Sequence, residues 1–196
     1  MAENQKKILW VDDEIDMLRP HVLFLTEKGY QVTTVTNAED AIDLIKRQTF
    51  DIVLLDEMLH GIDGLTALTE IKDIQPGLPV VMVTKSEEES LMEEAIGGKI
   101  DDYLTKPVNP SQILAACKRQ IESRQLESAR ITRDYATEFN QISQRLMELL
   151  TWTDWIDIHS KLSEWDVELD QHPDLGLQQT LYNQKRECNS AFARFI

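Results

Sequence analysis

Two short apolar runs in this chain of 196 residues end directly in aspartate, and they constrain the fold more than any other feature. Residues 8–11 (ILWV) lead into Asp12 and Asp13, and residues 52–55 (IVLL) lead into Asp56. Short apolar runs without polar alternation are typical of strands that are buried on both faces of a sheet. A buried strand that ends in negative charge needs a compensating group, so the three carboxylates predict a ligand as well as a fold.

The first 124 residues alternate between β-rich runs and segments of helical periodicity. Predicted strands lie at 7–11, 30–35, 51–55, 79–83 and 102–104, and predicted helices at about 14–28, 37–47, 64–74, 86–96 and 110–124. Asn37 is expected to cap the helix that follows it, with Asp40 as the second member of a capping box. Strands that alternate with helices favour a parallel sheet with helices on both faces. We therefore predict an α/β fold: a doubly wound five-stranded parallel sheet in the flavodoxin-like order 2-1-3-4-5.

Residues 125–196 show only helical periodicity. Apolar residues recur at helical spacing in three stripes: Ile131, Tyr135, Phe139, Ile142, Leu146 and Leu149; Trp152, Trp155, His159, Leu162, Trp165 and Leu169; Leu177, Leu181, Lys185, Cys188, Phe192 and Phe195. Pro173 and Gly176 interrupt the pattern before the third stripe. We predict a first domain at 1–124 and a C-terminal all-α three-helix bundle at 125–196. The last stripe reaches Ile196 without a cap or a polar tail, so we expect the chain to be cut before a larger output domain.

Composition excludes several classes of function. The formal net charge of −15 argues against direct DNA binding, because phosphate contacts need lysine and arginine in excess. No apolar run is long enough to cross a membrane, and no secretory signal is present. Cys117 and Cys188 lack metal-ligand spacing, and we interpret them as reduced core thiols, with a disulfide as the alternative. These features favour a cytoplasmic protein that contacts neither DNA nor membrane.

Polar residues end the other predicted strands as well. In the order 2-1-3-4-5, strands 1 and 3 are neighbours, so Asp12, Asp13 and Asp56 should meet at one edge of the sheet. Like charges there raise one another's pKa values unless a cation binds, and Mg²⁺ suits a site of carboxylates, a backbone carbonyl and waters. Thr84 and Lys106 follow strands 4 and 5 and bring a hydroxyl and an ammonium to the same edge. We therefore predict a Mg²⁺-dependent phosphoryl-transfer site in which one aspartate accepts phosphate.

Five motifs fall in order at these strand ends: VDD (11–13), LLD (54–56), an aspartate and a glycine eight residues apart (56–64), VT (83–84) and YLTKP (103–107). With them, residues 6–122 or so resemble a bacterial response-regulator receiver domain (CheY-like). The resemblance implies that Asp56 is the phosphoacceptor and that a sensor histidine kinase is the partner. It also implies that Asp12, Asp13 and the backbone carbonyl of Met58 hold Mg²⁺ together with Asp56.

The same resemblance assigns roles on the side of strands 4 and 5. Lys106 would bind the phosphoryl oxygens and precede a cis bond to Pro107, and Thr84 and Tyr103 would form the switch pair. Two positions depart from the pattern. His60 stands where the family usually has proline, and Lys85 stands where a small residue usually follows the switch threonine.

Three stretches also suggest a more specific resemblance. Residues 8–18 (ILWVDDEIDML), 83–90 (VTKSEEES) and 102–110 (DYLTKPVNP), followed by helices, are similar to the PorX-type regulators of the type IX secretion system. That resemblance implies that the helical region links the receiver to a PglZ-type output domain with phosphatase-like metal chemistry. It also implies a role in the regulation of protein secretion.

The leading hypothesis is a signalling switch that is not itself an enzyme. Phosphorylation would change the face formed by the fourth predicted helix, the fifth strand and the fifth helix, and would strengthen dimerisation. Asp101 and Asp102 are expected to pair across that dimer with Lys118 and Arg119. One alternative is a Mg²⁺-dependent aspartyl-phosphate phosphatase, although Met58 stands where such enzymes carry their acid. Another is a scaffold that works without phosphate.

Two residue patterns have plainer interpretations. The acids at 12 and 13 could simply begin a helix, because acids favour the first turn. His159 invites a phosphohistidine interpretation, but it lies on an apolar stripe, so packing is the simpler explanation.

Overall fold

The computed structural model describes residues 5–85, 100–147, 152–170 and 176–193. The elements in chain order are β1 (Lys7–Val11), a 3₁₀ helix (Ile15–Leu18), α1 (Arg19–Glu27), β2 (Gln31–Val35), α2 (Ala38–Arg47), β3 (Ile52–Asp56), α3 (Gly64–Ile74), β4 (Val80–Thr84), β5 (Asp102–Thr105), α4 (Pro110–Met147), α5 (Trp152–Asp170) and α6 (Gln178–Phe192). The chain divides into two compact units, Met1–Arg124 and Gln125–Ile196. The helix that we predict at 86–96 lies outside the described residues.

The five strands form one parallel sheet in the order β2-β1-β3-β4-β5, which confirms the predicted fold class. Every residue of β3 and β4 is buried, whereas β2 and β5 consist of partly buried and exposed residues. Position in the sheet explains the difference. A central strand is covered on both faces and paired on both sides, and an edge strand is open along one side.

Alternate residues of the strands supply two separate apolar cores, one on each face of the sheet. In β1, Leu9 and Val11 belong to one core, and Ile8 and Trp10 belong to the other. Side chains of α2 and α3 complete the first core, and side chains of α1 and the first turns of α4 complete the second. The alternation follows from strand geometry, because successive side chains point to opposite faces. Burial on both faces leaves the ends of the central strands as the places where polar groups can meet.

The helices of the first unit begin where local chemistry favours a helix start. The Asn37 side chain accepts a hydrogen bond from the Asp40 N–H at 2.8 Å and donates one to the Asp40 carboxylate, which confirms the predicted cap of α2. The helix predicted at 14–28 is wrong at its start, since α1 begins only at Arg19. Pro20 has no N–H to donate and is therefore tolerated only in a first turn. The acids at positions 12 and 13 thus precede this helix and do not form its first turn.

In the second unit, α4, α5 and α6 share one apolar core, which confirms the predicted helical bundle. Its buried side chains are Phe139, Ile142, Ile158, Leu162, Trp165, Leu169, Leu177, Leu181 and Cys188. The Trp165 ring meets Phe139 edge to face, with centroids 4.9 Å apart, and meets Tyr135 in the same way at 5.6 Å. Edge-to-face aromatic pairs stabilise a core beyond the burial of apolar area and favour one arrangement of the rings.

Two stripe positions of this unit differ from the sequence prediction. Ile158 is buried in the core, and the neighbouring His159 is only partly buried, with its ring stacked on Trp155 at 4.8 Å. Lys185 forms an ion pair with Asp166 at 2.6 Å. The side chains of three predicted stripe residues, Leu146, Trp152 and Phe192, and the whole of Leu149 and Phe195 lie outside the described part of the chain. The ring stacking of His159 agrees with its interpretation as a packing residue.

Both cysteines are buried free thiols, as predicted. Burial raises the pKa of the Cys117 thiol to about 12, so this group stays protonated at neutral pH. Within the described ranges, no helix combines the length and the apolar character that spanning a membrane requires.

The bundle core yields a first test. Leu162 is fully buried and Leu126 is 73% exposed, and both lie in the second unit. Leu162→Ala should lower the free energy of unfolding by roughly 2–5 kcal/mol, because it removes buried methyl groups and leaves a cavity. The matched variant Leu126→Ala should change it by no more than about 0.5 kcal/mol. Urea denaturation followed by tryptophan fluorescence measures both values, and equal effects would contradict this packing.

Candidate functional site

Three carboxylates meet at the carboxyl edge of the sheet. β1 and β3 are neighbours in register, with Val11 opposite Leu55, so the next residues of each strand, Asp12 and Asp56, come together. Asp12 is fully buried, Asp56 is 2% exposed, and the side chain of Asp13 is 18% exposed. One oxygen from each of these aspartates lies within 4.8 Å of those of the other two. The structure therefore brings together all three acids that the sequence singled out.

Lys106 lies between two of these acids. Its ammonium is 2.8 Å from Oδ2 of Asp56 and 3.0 Å from Oδ2 of Asp12, and only 14% of the side chain is exposed. Its backbone N–H donates to the Thr84 carbonyl at 2.6 Å, so the loop after β5 is tied to the end of β4. The bond between Lys106 and Pro107 is cis, as the resemblance implies. A single cation thus compensates two buried negative charges.

The surroundings shift the pKa of Asp56 upward. Burial is the largest cause, and the nearby charge of Asp12 adds to it. The hydrogen bond and charge of Lys106, and the Met58 N–H that Oδ1 of Asp56 accepts at 3.3 Å, act in the opposite direction without cancelling it. Burial by itself would lower the pKa of Lys106, but its bonds to Asp56 and Asp12 outweigh burial and raise the pKa. Lys106 therefore stays charged at neutral pH.

The loop after β3 is held close to the sheet by a glycine and a helix cap. A Cβ atom on Gly64 would lie 2.2 Å from the Asp56 carbonyl oxygen, so only glycine fits at this position. The Gly64 N–H donates to the carbonyl of Glu57 at 3.0 Å, and Asp63 caps α3 by accepting the Thr66 N–H at 2.8 Å. This contact explains the spacing of aspartate and glycine in the sequence motif. It brings the start of α3 against the end of β3.

The set of donors fits a hard divalent cation. Three carboxylates and one ammonium leave a net negative charge in a mostly buried site, and oxygen ligands of this kind suit Mg²⁺. Asp12, Asp13 and Asp56 are the residues that would hold it. Met58 donates its N–H to Asp56 and is 64% exposed, and the role of its carbonyl as a ligand stays a prediction.

The predicted switch residues lie in different environments. Thr84 is 1% exposed, and its hydroxyl donates a hydrogen bond to the Glu57 carboxylate. Tyr103 lies on the edge strand β5, opposite Met82, and is 44% exposed. Sequence reasoning missed Glu57 because nothing in its spacing distinguishes it from an ordinary loop acid. The only signal is the strand register, since Asp56 lies opposite Val83 and the residues that follow each of them come close together.

The two departures from the family pattern each contact an acid of the loop after β1. Nδ1 of His60 lies 2.5 Å from Oδ2 of Asp13, and the Lys85 ammonium lies 3.6 Å from Glu14. A cavity of about 450 Å³ opens beside the pair of Lys85 and Glu14. Its lining includes Asp12, Glu14, His21, Lys85, Lys106 and Val108. Sequence reasoning noted both departures but did not predict these partners.

The residues predicted to pair across a dimer have partners within the chain. Asp101 accepts hydrogen bonds from the Lys72 ammonium at 2.6 Å and from the Val80 N–H at 2.8 Å. Asp102 binds Arg119, and Lys118 lies 3.7 Å from Glu122. Any contact between subunits through these side chains would replace the contacts within the chain.

The upward pKa shift of Asp56 predicts a pH-dependent stability change. The pKa of Asp56 is higher in the folded chain than in the unfolded chain. The contribution of Asp56 to stability is therefore complete at pH values below its pKa in the unfolded chain, and it is lost as the pH rises through its pKa in the folded chain. Asp56→Asn should therefore raise the free energy of unfolding of the metal-free protein at neutral pH. The gain should disappear at acidic pH, as measured by thermal melts in the presence of EDTA.

A second aspartate gives the control of opposite sign. The hydrogen bond from the Thr66 N–H is the main cause that lowers the pKa of Asp63. Asp63→Ala should therefore destabilise the protein, by about 1 kcal/mol for a lost helix cap. An Asp56→Asn variant that is less stable than the wild type at neutral pH would contradict the prediction.

Comparison with known proteins agrees with this geometry. Residues 8–118 match the family model of the response regulator receiver domain, and residues 125–196 match that of the PorX response regulator linker domain. The alginate biosynthesis transcriptional regulatory protein AlgB of Pseudomonas syringae pv. tomato is 40% identical over 130 residues, which are 66% of this chain and 29% of that protein. ResD of Bacillus subtilis, a transcriptional regulatory protein, is 30% identical over 115 residues, or 59% of this chain and 48% of that one. This chain thus spans less than a third of the AlgB protein that it matches.

Solved structures of response regulators are also similar to this chain. A CheY-like receiver domain protein from Methanospirillum hungatei superimposes with a TM-score of 0.58 and 30% identity, covering 63% of this chain and 99% of that one. NtrX from Brucella abortus, solved in complex with ATP, gives a TM-score of 0.58 and 28% identity over 74% of this chain and 34% of that one. The receiver model covers more than half of the chain, and its match includes all three acids and Lys106. The chain therefore belongs to the response regulator receiver domain family.

Proposed function

We propose that Asp56 of this response regulator accepts a phosphoryl group from a phosphohistidine of a sensor histidine kinase. The observation that carries the proposal is the position of the Lys106 ammonium between Asp56 and Asp12. A phosphoryl group on Asp56 would bring its oxygens to a cation that is already in place. Phosphoryl transfer depends mainly on such positioning and electrostatic stabilisation.

The reaction consists of one bond made and one bond broken. A carboxylate oxygen of Asp56 forms a bond to phosphorus, and the bond between phosphorus and the imidazole nitrogen of the kinase breaks. The imidazole leaves with the electron pair of that bond. Lys106 then neutralises negative charge on the phosphoryl oxygens, and it gives up its contact with the Asp56 carboxylate to do so. Asp56 must be ionised to react, and the proximity of Lys106 favours that form.

The three aspartates would hold Mg²⁺ for this reaction. When bound, the ion supplies positive charge that a single ammonium cannot supply against three carboxylates and a phosphoryl group. Asp12 and Asp13 would act as ligands, and Asp56 would be both ligand and acceptor. His60 contacts Asp13 and would help to orient that ligand.

The match of residues 125–196 to the PorX linker model supports a more specific assignment. We propose that the chain is the receiver and linker of a PorX-type regulator that acts on a PglZ-type output domain in type IX secretion. The helical unit would carry the signal from the receiver to that domain. The net charge of −15 favours a protein partner over DNA, in a cytoplasmic setting.

Labelling with a small acyl phosphate tests the acceptor. In Mg²⁺, wild-type protein should gain one phosphoryl group per chain, and Asp56→Asn should gain none, as measured by intact-protein mass spectrometry. Lys106→Met should slow labelling by a factor of about 10² or more, because the charge that stabilises the transferring group is lost. Asp51 is the matched control, since it lies at the other end of β3 and pairs with Lys6. Asp51→Asn should label like the wild type.

The same experiment separates the competing functions. Steady release of phosphate from the donor, dependent on Asp56 and far exceeding one equivalent per chain, would favour a phosphatase. Absence of any label on Asp56 in Mg²⁺ would favour a scaffold that does not use phosphate. A single stable label, formed only when Asp56 is present, supports the switch.

Phosphorylation is also expected to strengthen self-association of the chain. Arg119 binds Asp102 within the chain, and this exposed pair is weak enough to exchange for a partner subunit. Beryllofluoride with Mg²⁺, a stable mimic of the phosphoryl group, should shift the wild type toward a dimer in sedimentation velocity. Asp56→Asn should not respond, and Arg119→Ala should respond less than wild type. An unchanged sedimentation coefficient for the wild type with bound beryllofluoride would contradict dimerisation.

A further inference from the structure

The hydroxyl of Thr84 has a charged partner before any phosphoryl group arrives. Thr84 is 1% exposed, and its Oγ1 donates to Oε2 of Glu57, the residue directly after Asp56. Glu57 is partly buried, and its backbone N–H points back to the Val83 carbonyl at 3.4 Å. Backbone pairing therefore holds Glu57 next to the end of β4, where its carboxylate reaches the Thr84 hydroxyl.

A hydroxyl has one proton to donate, and this limits what Thr84 can bind at one time. If Thr84 contacts a phosphoryl group on Asp56, its proton has to leave the Glu57 carboxylate. Hydrogen bonds to an ionised acceptor are roughly twice as strong as those between neutral groups, so the exchange has a substantial cost. Glu57 and the phosphoryl group are thus two anionic acceptors that compete for one donor.

We propose that Glu57 is a positioning residue that holds Thr84 in the unphosphorylated arrangement and sets how far the modified site shifts to the active one. The inference rests on the proposed function, since it needs a phosphoryl group on Asp56. Glu57 acts through Thr84 and does not touch the reacting atoms. The phosphoryl group adds negative charge beside the Glu57 carboxylate, and repulsion between the two favours release of Thr84. Glu57 thereby stabilises the resting state, and the modification breaks its hydrogen bond with Thr84.

Titration with beryllofluoride at saturating Mg²⁺, followed by isothermal titration calorimetry, tests the role of Glu57. Glu57→Gln keeps the shape of the side chain but weakens it as an acceptor. This variant should bind beryllofluoride about five to ten times more tightly than the wild type. The reason is that a weaker hydrogen bond is broken when the Thr84 hydroxyl moves from residue 57 to the bound beryllofluoride. Glu57→Ala should act in the same direction, and Glu57→Asp should restore affinity toward the wild-type value. Glu70→Gln, which neutralises an exposed acid on α3, should leave the affinity unchanged.

The Thr84→Val background distinguishes a contact from a general charge effect. Without the hydroxyl, Glu57→Gln should no longer change the affinity for beryllofluoride. If the gain persists in Thr84→Val, Glu57 acts by its charge alone and the inference is wrong. Equal affinities of Glu57→Gln and wild type would also overturn it. Failure of the wild type to bind the probe through Asp56, with Asp56→Asn as reference, would instead overturn the proposed function.

Discussion

The ion pair that Lys106 forms with Asp12 and Asp56 is the interaction on which the arrangement of the site depends. It joins residues at the carboxyl ends of β1, β3 and β5, and two of the three charges are almost completely buried. Two carboxylates in such a place repel each other and lose the solvation of water, so a cation between them is an electrostatic requirement. Lys106 meets that requirement from the loop after the edge strand β5, which is itself poorly buried. The loop that carries it is fixed by the hydrogen bond from its N–H to Thr84.

The sheet determines where this interaction can form. β1, β3 and β4 are buried along their lengths, so a polar side chain can reach water or a ligand only at a strand end. The strand order then places the end of β1 beside the end of β3, at the point where the direction of sheet growth reverses. Gly64 allows the next helix to start against the Asp56 carbonyl. The apolar packing of the sheet and the chemistry of the site are therefore two results of one topology.

Much of this could be predicted from the sequence, because continuous apolar runs and acids at their ends are local signals. The structure has the predicted sheet order, which is one of the two common orders of doubly wound sheets, and in that order Asp12 and Asp56 meet. Other features depended on three-dimensional detail that periodicity does not carry. The late start of α1 at Arg19 depends on the position of one proline, and the burial of Ile158 in place of His159 depends on the rotation of α5 about its axis. The first difference amounts to about five residues and the second to one residue position, and in each case more than one assignment fits the apolar spacing.

Contacts between loops were the hardest part to predict. Glu57 reaches Thr84 from the loop after β3, and the pairs of His60 with Asp13 and of Lys85 with Glu14 also join separate loops. The sequence singles out four of these six residues but not the pairs that they form, since no spacing rule links positions that are so far apart along the chain. Only the register of β3 with β4 brings Glu57 next to Thr84.

The competition that we propose between Glu57 and a phosphoryl group on Asp56 would also explain why a switch needs its resting state to be specified. A buried hydroxyl without an acceptor would turn toward any new phosphoryl oxygen at little cost, and it could also occupy the active arrangement in the unmodified protein. A carboxylate that already accepts from Thr84 raises the free energy of that arrangement and lowers its population before modification. The free energy released by the phosphoryl group has to exceed this difference for the switch to work. In the proposed switch, Glu57 lowers the equilibrium constant for the active arrangement both before and after modification, and the maximal response falls only where the modified protein does not already favour that arrangement strongly.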